Sequence, residues 1–136
     1  MIQTQFDKKE FAAVAVILDA GRVLAVTRRG LPTDWALPGG KKSPAETLRR
    51  CATRELDEET GVVADEESIA LVFAGWDAHG NEVSAFLVRG WSGLPHSKEE
   101  GVEVAWLEPS QLLDPTCTFH EYNREVLDSI ARLEWR

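Results

Sequence analysis

At 136 residues the chain is long enough to bury one domain's core, and 1–136 is read as a single domain. A formal net charge of −8 excludes gripping DNA or RNA by phosphate neutralisation, which needs a basic face, but leaves room for a small polyphosphate whose charge is met by metal ions. No apolar run approaches the roughly 18 residues of a membrane span, and the polar start MIQTQFDKKE lacks the apolar region of a signal peptide, so the expectation is a cytoplasmic protein with no membrane partner.

Residues 11–19 are rich in alanine and β-branched side chains, Ala20-Gly21 is a turn, and residues 22–29 alternate; the two runs are expected to pair as a hairpin. A short strand at 35–37 leads into Pro38-Gly39-Gly40. A helix is expected over 44–60, with Ser43 as N-cap, Pro44 at the first helical position, Glu46 closing a capping box and Gly61 as left-handed C-cap. Residues 69–76 and 83–91 flank Asp77-Ala78-His79-Gly80-Asn81, a turn-rich loop that predicts a second hairpin. A further strand at 102–107 precedes a short helical turn at 109–113. Thr118 with Glu121 makes a second capping box, before a helix whose apolar ladder is Tyr122, Val126, Ile130 and Leu133. Cys51 and Cys117 form neither a metal spacing nor a disulfide framework, and both are read as reduced and structural. His79, His96 and His120 have no ligand spacing and are given no role.

The helix at 44–60 carries the informative anomaly. At about 100° per residue, Leu48, Cys51, Ala52 and Val62 share one stripe, and Glu55, Glu58 and Glu59 continue it. Desolvated carboxylates without a partner cost several kcal/mol each. Arg54 and Glu58 form one i,i+4 pair, worth a few tenths of a kcal/mol, which leaves Glu55 and Glu59 without a cation. Two readings remain, a divalent metal site and a solvated acidic patch. Hard oxygen donors with little His or Cys nearby favour Mg2+ or Mn2+ over zinc in the first.

Gly40, five residues, Glu46, seven residues, Arg54-Glu55-Leu56, one residue, Glu58-Glu59, one residue, then Gly61-Val62: this spacing resembles the Nudix box at every defined position. The lead-in Trp35-Ala36-Leu37-Pro38-Gly39 resembles the family's too; Ala45 departs from a glycine common in the family, with little consequence in a helix. The resemblance implies an α/β fold, the Nudix α/β/α sandwich with a mixed β-sheet between helices. It implies Mg2+-dependent (or Mn2+-dependent) attack of water on a phosphoanhydride, with metal held by Glu55, Glu58, Glu59 and the carbonyl of Gly39. Arg54 carries the family role of orienting the catalytic glutamate. The proton acceptor is either Glu55 or, as in MutT-type members, a glutamate on the loop before the late strand, where counting back from Trp106 favours Glu100.

Outside the box, Arg28 resembles the arginine that faces the nucleotide in MutT-type nucleoside triphosphate pyrophosphohydrolases, and an arginine forks well onto phosphate or a base edge. Asn123 resembles the asparagine that reads a purine edge there. The expected substrate is therefore a nucleoside di- or triphosphate. ADP-ribose, a nucleotide sugar or a dinucleoside polyphosphate is the rival substrate, and a non-catalytic nucleotide sensor the rival of another class. A homodimer stays open.

Overall fold

In the computed structural model, which describes residues 10–134, alternation along one strand builds two cores. Strand β1 (Phe11–Val16) sends Ala12 and Val16 to one face and Ala13 and Ala15 to the other. It can do so because it is internal. Its neighbours are β5 (Gly39–Lys41), antiparallel, and β8 (Glu82–Val88), parallel, and β7 (Ile69–Trp76) completes the mixed order β5-β1-β8-β7. Beside it, β3 (Arg22–Arg28) pairs with β2 (Leu18–Asp19), β4 (Leu31–Ala36) and β10 (Val104–Leu107). A two-stranded piece, β6 (Val63–Ala64) with β9 (Trp91–Ser92), stands apart from both.

Helix α1 (Leu48–Thr60) covers one face, where Cys51, Ala52 and Leu56 meet Ala13, Ala15, Ile17 and Leu24. Helix α3 (His120–Glu134) covers the other, where Tyr122, Val126 and Ile130 meet Val16, Val83 and Leu87. A single turn, α2 (Pro109–Leu112), precedes it. The result is the expected α/β class with mixed sheet between helices. No helix among the described residues is long and apolar enough to cross a membrane. Residues 1–9, most of the polar stretch read above as lacking a signal peptide, lie outside the described residues.

Several expectations need correction. The run 11–19 does not fold back whole onto 22–29; only Leu18 and Asp19 pair with β3, because the apolar β1 is buried on both faces and takes a partner on each edge. Helix α1 begins at Leu48, with Thr47 as N-cap: its extended backbone (φ −79°, ψ 164°) lets its hydroxyl accept the Arg50 N–H at 3.1 Å, while residues 44–46 form a turn. The second hairpin is present, but β8 stops at Val88 and Trp91 belongs to β9. Thr118 does not cap α3, since its hydroxyl donates to Asp34, and Leu133 is 40% exposed, so the ladder ends at Ile130.

Gly39 shows how tightly the strand leading to α1 is seated. A Cβ there would collide with the carbonyl oxygen of Ala13 and stand 2.8 Å from the Cα of Val14, and this is backbone that cannot step aside. Gly39→Ala is therefore expected to destabilise the fold by about 3 kcal/mol, read by urea unfolding. A change under about 0.5 kcal/mol, the size of an ordinary surface substitution, would show that β5 is not held against β1 in this way.

Candidate active site

Helix α1 ends where a left-handed residue turns the chain away: Gly61, at φ 77°, donates its N–H to the carbonyl of Asp57 at 2.9 Å. The last turns of the helix lie beside β5, so Glu55 and Glu59 point at Gly40 and Gly39. A Cβ on Gly40 would strike the Glu55 carboxylate, so that glycine leaves the room Glu55 occupies. The Gly39 N–H donates to Glu59 Oε1 at 2.9 Å.

Arg54 braces this face. Its Nε and Nη2 fork onto the two oxygens of Glu46 at 2.9 and 2.6 Å, and Nη1 reaches Glu55 Oε2 at 3.3 Å and Glu58 Oε1 at 3.1 Å. Nη2 also donates to the carbonyl of Lys41 at 3.3 Å, which ties the helix to the end of β5. The paired guanidinium above all, then the Ser43 N–H, holds the Glu46 carboxyl down at about 2. Half of the expected capping box thus exists, Ser43 N–H to Glu46 at 2.9 Å, but the main partner of Glu46 is Arg54.

Burial divides the other carboxylates. Glu58 is exposed and drawn to Arg54. Burial raises Glu55, with Arg54 pulling the other way and Glu58 adding to the rise. Glu59 is pushed up to about 8, by burial first; the Gly39 N–H opposes this, while the charges of Glu55, Glu99 and Glu58 add to it. No cation among the described residues pairs with Glu59.

Hard carboxylate oxygens beside a half-buried carboxylate with no countercharge among the described residues suit a divalent ion of the magnesium type. As placed, no three Asp, Glu, His or Cys side chains among the described residues converge at ligand spacing, since Glu55 and Glu58 are held by Arg54 and Glu59 by Gly39. The donor set fits such an ion once one of these hydrogen bonds is exchanged for it.

Glu59 also lines a cavity of about 370 Å³ walled by β1, β3, β5 and the start of α3. Arg28 and Asn123, both anticipated from sequence, lie in its wall. Arg28 packs its guanidinium over the Phe119 ring, 5.4 Å from the centroid. Asn123 is 1% exposed and donates from Nδ2 to the carbonyl of Leu112 at 3.1 Å, which fixes its amide plane.

Glu100 is not brought to this cavity. The residue that lines it is Glu99, whose carboxylate pairs with Arg29 at 2.7 Å, while Glu100 lies exposed in the turn. The loop is pinned to the end of α1 by the His96 N–H on Thr60 O at 3.0 Å and Lys98 Nζ on Asp57 O at 3.2 Å, and those anchors set which glutamate turns inward. Sequence reasoning also passed over His79 and Phe119, cavity residues that meet edge to face at 5.1 Å. Placement in the turn-rich loop 77–81, opposite the start of a helix, was the available signal for His79. Phe73 and Trp91 pack on Tyr122 and Trp106 and do not line the cavity.

The fold is similar to that of the MutT NUDIX hydrolase from Burkholderia pseudomallei; the two structures superpose with a TM-score of 0.72 at 26% identity, covering 88% of this chain and 98% of that one. The chain belongs to the Nudix family: the NUDIX domain model matches residues 8–129. It is 30% identical over 132 residues to the 8-oxo-dGTP diphosphatase of Escherichia coli K12, covering 93% of this chain and 99% of that protein. It is also 30% identical over 100 residues to a MutT-like protein of Streptomyces ambofaciens, where the match covers 74% of this chain and spans 64% of the relative's length.

Proposed function

We propose that this chain is a single catalytic domain that hydrolyses a nucleoside di- or triphosphate, with Mg2+ as its metal and Mn2+ as a substitute. One observation carries the reading: three glutamates share one face of α1, two of them braced by Arg54, and the third, Glu59, stands in the wall of a cavity of about 370 Å³, within the range of small-ligand pockets. Glu55, Glu58 and Glu59, with the Gly39 carbonyl, would hold the metal. When bound, the ion neutralises phosphate charge and polarises the phosphoryl group.

The chain's own residues do the rest. Arg54 holds Glu55 against Gly40, and Glu55, raised by burial, takes the proton from the attacking water. Glu99, facing the cavity, is the second candidate acceptor in place of Glu100. Arg28 and Asn123 present donors in the part of the cavity walled by Phe119, and bind the nucleoside end of the substrate. The name of the Escherichia coli relative makes 8-oxo-dGTP the first oxidised purine to try. The enzyme acts in the cytoplasm on free nucleotide rather than on DNA or RNA.

The test is product formation with Mg2+, and with chelator, across canonical and 8-oxo nucleoside triphosphates, ADP-ribose, nucleotide sugars and diadenosine polyphosphates. Chelator-sensitive release of a nucleoside monophosphate from one triphosphate class is the expected result. Turnover confined to ADP-ribose or a nucleotide sugar would move the substrate class. No turnover with nucleotide binding intact would make the chain a sensor.

A further inference from the structure

Asp34 is 6% exposed and lies outside the acidic face of α1 and the segment 35–40 that leads to it. Its carboxylate joins Arg28, six residues before it, to Thr118, 84 residues after it. Oδ1 accepts the Thr118 N–H at 2.8 Å; Oδ2 accepts the Thr118 hydroxyl at 2.6 Å and Arg28 Nη1 at 3.4 Å. Arg28 Nη1 also reaches the Thr118 hydroxyl oxygen at 3.3 Å, which closes a triangle. Burial would raise this carboxyl, but the Thr118 and Arg28 hydrogen bonds outweigh it and leave it lowered, so Asp34 stays ionised.

The consequence runs into the cavity. Thr118 is followed by Phe119, whose carbonyl accepts the Asn123 N–H at 2.8 Å in the first turn of α3. Phe119 carries Arg28 on its ring and His79 against its edge. Arg28 itself sits where the β3–β4 register shifts, between Thr27 and Arg28. Thus one buried carboxylate sets both the orientation of Arg28 and the seat of the segment bearing Phe119 and Asn123.

We infer that Asp34 is a positioning residue for substrate, which holds Arg28 and the Thr118-Phe119 segment in the geometry that the nucleoside end of the cavity requires. This rests on the nucleotide reading of the cavity given above. Asp34 touches no reacting atom, and its effect belongs to binding rather than to the chemical step. It is the support that a preorganised site needs behind the residues that meet the ligand.

Asp34→Asn keeps size and the acceptor for the Thr118 N–H but puts an amide NH2 where Oδ2 accepted from Arg28. Thr118→Val removes the bridging hydroxyl at constant volume and serves as a second variant if the first folds poorly. Both are assayed for dGMP affinity by calorimetry without metal, for KM and kcat on the triphosphate turned over best, and for thermal melting. The expected result is dGMP affinity and KM weakened about tenfold in Asp34→Asn, the size of one charge-assisted hydrogen bond, with kcat within about twofold. Combined with Arg28→Gln, the Asp34 change should add little, because the two act through one contact. Unchanged affinity and KM in folded variants, with only the melting temperature lowered, would overturn the inference and make Asp34 structural. A wild type that binds dGMP but hydrolyses nothing would sink the hydrolase reading alone, and the affinity ratio would still decide the role of Asp34.

Discussion

Glu59→Gln is expected to lower kcat by about a thousandfold, the scale seen when a centre stabilising phosphoryl charge is removed, while raising the melting temperature. The two changes have one origin. Glu59 is a half-buried carboxylate whose only hydrogen bond among the described residues comes from the Gly39 N–H, and glutamine keeps that acceptor while removing a charge that the unliganded fold must desolvate. Stability and activity therefore move in opposite directions, as expected where a site holds charge for a ligand rather than for the fold. Kinetics paired with thermal melting reads both. A variant that loses activity and stability together would make Glu59 a structural residue.

Arg54→Gln should be the second largest effect, about a hundredfold in kcat, the range for residues that orient metal ligands from behind, and here stability falls as well. Arg54 is the common partner of Glu46, Glu55 and Glu58 and ties α1 to the Lys41 carbonyl. Without it, the three carboxylates face one another with no intervening positive charge. Arg54→Lys is expected to recover part of the stability and little of the activity, because an ammonium cannot fork onto Glu46 while reaching two other carboxylates. KM should move little, since Arg54 does not line the cavity. A large rise in KM at unchanged kcat would place Arg54 in substrate binding instead.

How much of this was legible follows from the range of each interaction. The acidic stripe on α1, the Gly61 stop and the Arg54–Glu58 pair are local, fixed by helical period and capping chemistry within one segment. The parallel pairing of β1 with β8 was not legible, because it joins residues 11–16 to 82–87 through no local turn. The helix start slipped because Ser43 and Thr47 are both good caps, and the choice fell to Thr47 as Glu46 turned onto Arg54 eight residues away. Glu99 and Glu100 are neighbours in one exposed loop, and the anchors of His96 and Lys98 on α1, not any count from Trp106, decide which faces inward. Asp34 had no signal at all, since its partner Thr118 lies 84 residues on.

Whether the acidic face of α1 is a divalent-cation site is tested most directly, and without turnover, by Mn2+ titration followed by the electron paramagnetic resonance of the free ion. Wild-type protein is expected to remove Mn2+ from solution, Mg2+ to compete it off, and Glu59→Gln to weaken the binding at least about tenfold, as expected for loss of a charged ligand. Equal Mn2+ binding by wild type and variant, or none by a wild type that still hydrolyses nucleotide, would contradict a cation site there.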